Sequence, residues 1–163
     1  MSTSNELPEI TAQARRVFSR GACAGLAIAL HLETHFDLIK ITDCWNVHNR
    51  SDGARVAGDG SAMHWVVLAP GSALGAQEDR FLDIDGLHPP YEMIEEYAMH
   101  ADNGCAEAGE YDVGSALSEY EERHGSPVPI DRCKGYARAV LQSVDWRDED
   151  TANRYAPSPQ TGG

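Results

Sequence analysis

Nine consecutive residues, Ala22-Cys23-Ala24-Gly25-Leu26-Ala27-Ile28-Ala29-Leu30, carry no charge and only small or aliphatic side chains. A helix that is apolar all round is buried, and its alanines and glycine let neighbouring backbones approach closely. Crossing a bilayer takes about 20 apolar residues, so this run predicts the central helix of a folded domain, over residues 22–34, and no membrane partner. Everything else in the chain has to surround it. Ser19-Arg20-Gly21 separates it from a first helix over residues 9–18, which follows Pro8.

The next segments have the composition of strands. Residues 38–45 and 63–68 are mainly apolar, and 81–84 form a third, shorter run. Between the first two, residues 46–62 are rich in Gly, Asp, Asn and Ser and read as a long loop, and residues 70–79 read as a turn region. Pro90 predicts the start of a helix over residues 91–101. Two more helices follow, one over 115–124 capped by Ser115 and stopped by Gly125, the other over 131–144 capped by Asp131. The expectation is an α+β fold: a small antiparallel sheet packed on a buried N-terminal helix that carries the cysteine, with additional C-terminal helices. A chain of 163 residues suits one domain, taken as residues 1–150, with 151–163 as a disordered tail.

Three residues give this plan a chemistry. Cys23 opens the buried helix, where the positive end of the helix dipole and unpaired backbone N–H groups favour the thiolate, the reactive form of cysteine. His64 is a titratable ring at the head of the apolar strand His64-Trp65-Val66-Val67-Leu68. An imidazole beside the thiol acts as its base and then as the acid for a leaving group. Asp83 lies within the third strand, where a carboxylate is costly unless paired. A bond from Asp83 to the second ring nitrogen would fix the histidine tautomer. Asp85 is the competitor, because a hairpin register that sets His64 opposite Asp83 becomes, after a one-residue shift on each strand, one that sets it opposite Asp85. Trp45 and Trp65 are candidate walls of a substrate pocket. Asn49, Arg50, Asp52, Arg55 and Asp59 lie in the loop that leads to His64 and are candidates to meet a substrate.

In order and context, these motifs resemble the papain-like, transglutaminase-like core. In that superfamily a Cys opens a buried helix, a His starts the next core strand, and an Asp or Asn lies on the strand after it. The resemblance covers roughly residues 15–90 and extends to small uncharacterised phage and bacterial proteins with the same pattern. It implies a cysteine-dependent hydrolase or acyl transferase (a peptidase, amidase or deamidase) working through a thioester, with Cys23, His64 and Asp83 as its triad and no cofactor. The substrate would be a protein or a small amide or acyl compound. The chain departs from the peptidase pattern in one respect: the nearest upstream glutamine, Gln13, is ten residues from Cys23.

Charge supplies a second, non-enzymatic expectation. Residues 1–77 carry six basic and seven acidic side chains, whereas residues 78–163 carry seven basic and nineteen acidic ones. Direct nucleic-acid binding is disfavoured by such a surface. A basic protein partner, bound by an acidic face that imitates DNA, is the alternative function. Cys44, Cys105 and Cys133 read as structural, and without a signal-peptide pattern the expected compartment is the cytoplasm, where thiols stay reduced. His31 and His35 share a helix face, but no third ligand has a metal-site spacing, so no metal is expected.

Overall fold

The computed structural model describes residues 6–19, 21–44, 47–58, 62–74 and 78–144. It is an α+β fold built on a seven-stranded, mostly antiparallel sheet. Helices α1 (Ala12–Ser19) and α2 (Cys23–Thr34) come first, then strand β1 (Asp37–Asp43). A hairpin of β2 (Val47–Asn49) and β3 (Arg55–Ala57) follows, then β4 (His64–Ala69) and the short helix α3 (Gly71–Leu74). Strands β5 (Arg80–Asp83) and β6 (Gly86–His88) lead to α4 (Pro90–Ala98), β7 (Ala106–Glu110), α5 (Val113–His124) and α6 (Ile130–Ser143). The strand order is β2-β3-β7-β1-β4-β5-β6, and among the described residues the single parallel contact is β3 on β7.

Burial follows from the sequence of α2. Every residue from Cys23 to Leu30 is buried, and Leu26, Ile28 and Leu30 are fully enclosed. Each such side chain is worth about 2 kcal/mol of burial. They share one apolar cluster with Leu38, Trp65, Val67 and Leu82 of the sheet and with Cys133, Ala137 and Val140 of α6. Gly25 is what lets α6 come close, since a Cβ there would lie 3.0 Å from Cys133 Sγ. A second cluster joins Ile39, Ile41, Val66 and Phe81 to Met93 of α4. Alternate residues of β1, β4 and β5 therefore face two separate cores, as the period of two requires.

Several sequence expectations are corrected. Residues 46–62 are not one loop: Val47–Asn49 and Arg55–Ala57 pair as a hairpin turned at Gly53, whose φ of +90° suits glycine. Its strands are three residues long, too short to register as alternation. Residues 70–79 include the helical turn α3 rather than turn alone. The cap of α5 is Asp112, which accepts the Ser115 backbone N–H at 3.0 Å, not Ser115. Asp131 lies inside the first turn of α6, which follows Pro129 and has no side-chain cap. Strands β6 and β7 were not expected. β7 is Ala-Glu-Ala-Gly-Glu, poor in strand-forming residues. It is held between β1 and β3, and Gly109 is required there because a Cβ would lie 2.6 Å from the Ala57 backbone nitrogen. The tail at 151–163 lies outside the described residues.

Two of the four cysteines are not reduced thiols. Cys44 and Cys105 form a disulfide, one residue beyond the Asp43↔Ala106 pair of β1 and β7. It closes a separation of 61 residues, worth about 4 kcal/mol on the chain-entropy account. Disulfides are uncommon in the cytosol. Among the described residues no helix is long and apolar enough to cross a membrane.

Candidate active site

Cys23 is the first residue of α2. The helix has no side-chain cap, so no capping side chain takes the backbone N–H groups around the thiol. His64 is the first residue of β4, set beside Ile41 of β1, and is 1% exposed. Asp83 ends β5. The register of β4 and β5 runs through Val67↔Leu82. Continued one step, it sets Val66 level with Asp83. His64 is thus two residues further along the same face, a diagonal neighbour of Asp83 and not its direct partner.

The diagonal is short enough for a hydrogen bond. His64 Nε2 and Asp83 Oδ2 are 2.9 Å apart, both buried. Burial pushes the Asp83 carboxyl up, but hydrogen bonds from His64 and His88 hold it well below the usual carboxylate range. An ionised carboxylate only accepts, so Nε2 of His64 is the protonated nitrogen and Nδ1 faces the other way. Nδ1 is buried and meets no partner at full hydrogen-bond geometry. The Cys23 side chain nevertheless lies near enough to the ring to favour its charged form. A loose thiol–imidazole contact accounts for both facts, and such contacts are often long before a substrate binds. Burial pushes the His64 pKa down, and Asp83 and Cys23 together outweigh it, raising it to about 9.

Asp85, the competing carboxylate, points elsewhere. Its Oδ1 takes a hydrogen bond from Arg15 at 2.8 Å, about half exposed. Trp65 is buried and lines a cavity of about 1090 Å³ together with Cys23, Met63 and Tyr111. His64 and Asp83 are not among the residues that line it. Trp45 and Asp59 lie outside the described residues. Arg50 and Asp52 pair with each other in the β2–β3 turn, Arg55 pairs with Glu107, and Asn49 is exposed. His31 Nδ1 is bonded to the Phe36 carbonyl at 2.6 Å, and His35 ends α2 in the left-handed region. Among the described residues no group of three His, Cys, Asp or Glu side chains is arranged to hold a metal ion.

Three neighbours of the site were not anticipated from sequence. His88 of β6 reaches Asp83 Oδ1 at 2.8 Å. Tyr97 of α4 stacks on the His64 ring, with centroids 5.1 Å apart and planes 15° from parallel. Lys40, fully buried in β1, donates to Gly58 O at 2.9 Å and to both oxygens of Glu119, and it lies 4.2 Å from the Tyr111 ring centroid. Two of these had a signal. Asp85-Gly86 between apolar runs is a hairpin signature that brings His88 back along Asp83, and a lysine inside Leu38-Ile39-Lys40-Ile41 needs a buried partner. Tyr97 had none.

No protein-family model matches the chain, and neither a curated protein nor a solved structure matches it.

Proposed function

We propose that the protein is a cysteine-dependent acyl-transfer enzyme, a hydrolase or transferase, of papain-like or transglutaminase-like type. In this reading the buried helix α2 carries the nucleophile against an antiparallel sheet that carries its base. The observation behind the reading is the buried His64–Asp83 hydrogen bond on one side of an imidazole whose other side feels the Cys23 thiol. A buried histidine held to a carboxylate in this way is a costly arrangement for structure alone.

The chemistry follows from the atoms. His64 Nδ1 takes the Cys23 proton, and Asp83 steadies the resulting imidazolium. Cys23 Sγ attacks a carbonyl carbon and forms a C–S bond, and the carbonyl oxygen becomes an oxyanion facing the uncapped N–H groups of α2. The oxyanion collapses, the leaving nitrogen or oxygen departs with the proton from His64, and a thioester remains. Water or an amine, deprotonated by His64, then attacks the thioester carbon, and Cys23 leaves as the thiol. The cavity beside Cys23 and Trp65 would hold the acyl part. The alternative, an acidic surface for a basic partner, rests on charge alone.

The test is alkylation by iodoacetamide at mildly acidic pH, mapped by mass spectrometry. Cys133 supplies an internal control: burial pushes its thiol up to about 11. Cys44 and Cys105 are tied in the disulfide. The reading requires one label per chain, on Cys23, absent from Cys23→Ala and slowed in His64→Ala. A Cys23 that reacts no faster than an unfolded thiol, or at a rate indifferent to His64, sinks it.

A further inference from the structure

We propose that His88 is a positioning residue of this site, one that holds Asp83 by its Oδ1 so that Oδ2 faces His64. The inference rests on the Cys23–His64–Asp83 reading and adds a fourth member to it.

Asp83 is gripped from both ends. Oδ2 takes the bond from His64 Nε2 at 2.9 Å. Oδ1 takes two, from His88 Nε2 at 2.8 Å and from the Asp85 backbone N–H at 2.9 Å. Both Oδ1 donors come from the β5–β6 hairpin, and the reason is its register. Asp83 pairs with Gly86 and Phe81 with His88, so His88 stands diagonally from Asp83 on the same face. Gly86, at φ +104°, makes the tight return possible.

The placement of the histidine matters. A carboxylate bonded only at one oxygen can rotate about its last side-chain torsion, which has broad wells. Donors fixed on Oδ1 remove that freedom and aim Oδ2 along one direction. The backbone N–H alone supplies one anchor near the Asp83 main chain, and His88 supplies the second from the next strand. His88 is also the wet end of the group: its side chain is 27% exposed, against 7% for Asp83 and 1% for His64. A ring serving only as filler would not aim Nε2 at a buried carboxylate.

Two isosteric variants separate donation from packing. The amide nitrogen of His88→Gln sits near the position of the lost Nε2 and still donates to Oδ1. His88→Met has the same length and no donor. Two readouts apply: the low-field proton resonance of His64 Nε2–H in histidine-labelled protein, and the pH profile of Cys23 alkylation by iodoacetamide. With His88→Gln the resonance persists and the profile stays close to wild type. With His88→Met the resonance broadens or vanishes and alkylation slows about tenfold, the scale of one charge-assisted hydrogen bond. Should the Met variant fail to fold, His88→Asn gives the same comparison, because its amide stops short of Asp83. Retention of both signals in the donor-free variant overturns the proposal, and so does a Gln variant as impaired as the Met variant. The resonance reads the grip on Asp83 whether or not Cys23 is reactive, so failure of the enzymatic reading leaves a distinct pattern: no selective alkylation in wild type, with the resonance still dependent on a donor at position 88.

Discussion

Asp83 Oδ2 and His64 Nε2 lie 2.9 Å apart across a diagonal of two antiparallel strands, almost wholly out of water. Each depends on the other, because burial alone would push the imidazole toward its neutral form. Asp83→Ala is therefore expected to cost about 3–5 kcal/mol of stability in urea denaturation, the scale of breaking a buried charged pair. In an NMR titration the His64 pKa should fall from about 9 as the raising effect of Asp83 is lost and burial is opposed by Cys23 alone. A small loss of stability with an unmoved histidine would mean that the pair is not coupled.

Stability should depend on pH in a defined window. The folded-state pKa of His64 is raised from 6.5 to about 9. Its contribution is fully present below pH 6.5 and is lost as pH rises through 9. The Asp83 pKa is depressed, so its contribution is present above the ordinary carboxylate range and is lost as pH falls through its low folded value. Thermal melts from pH 6 to 10 should show a decline that Asp83→Asn flattens, and parallel curves for the two proteins would contradict it.

Asp85 should be dispensable. Its bond to Arg15 is half exposed, and such pairs are worth about 0–1 kcal/mol. Asp85→Ala should melt within a few degrees of wild type and keep the Cys23 alkylation rate. A loss comparable to that of Asp83→Ala would reverse the assignment of the two carboxylates.

Lys40, fully buried, pairs with Glu119, 28% exposed, which also receives the Tyr111 hydroxyl at 2.6 Å. Removing one partner strands the other, whereas removing both does not. Glu119→Leu, which leaves the buried Lys40 without its carboxylate, should destabilise by about 3 kcal/mol or more, and the double variant Glu119→Leu with Lys40→Met should recover part of that loss. Chemical denaturation of the two single variants and the double variant measures the coupling, and strict additivity would argue against it.

Much of this architecture is legible before any coordinates. The run from Cys23 to Leu30 marks the buried helix because nothing in it tolerates water, and Pro90 and Gly125 mark helix ends by steric rules that neighbours do not override. His64 and Asp83 stand out because each is an expensive residue for its strand. The choice between Asp83 and Asp85 could not be made from the period of two, which sets both on one face of an extended segment, although β5 ends at Asp83 and Asp85 lies in the turn after it. It turns on a register that extends diagonally and on Arg15, some seventy residues away in sequence. β7 was invisible because its place is assigned by β1 and β3 on either side and not by its own composition. The Cys44–Cys105 pairing was hidden for the same reason, since it depends on β7 being where it is.

The disulfide has a topological consequence. His64, Asp83, His88 and Tyr97 all fall between Cys44 and Cys105, while Cys23 falls outside. The covalent ring thus encloses the base and its supports, and the nucleophile is supplied by a helix lying outside the ring. A single proteolytic nick anywhere between the two cysteines would leave one covalently joined molecule. On a non-reducing gel the nicked chain should run as one species, and with reductant it should separate into two. The half of the site built on strands is tied by a bond that reductant can open, and the half built on the helix is held by non-covalent contacts, the Glu33–Arg138 ion pair among them.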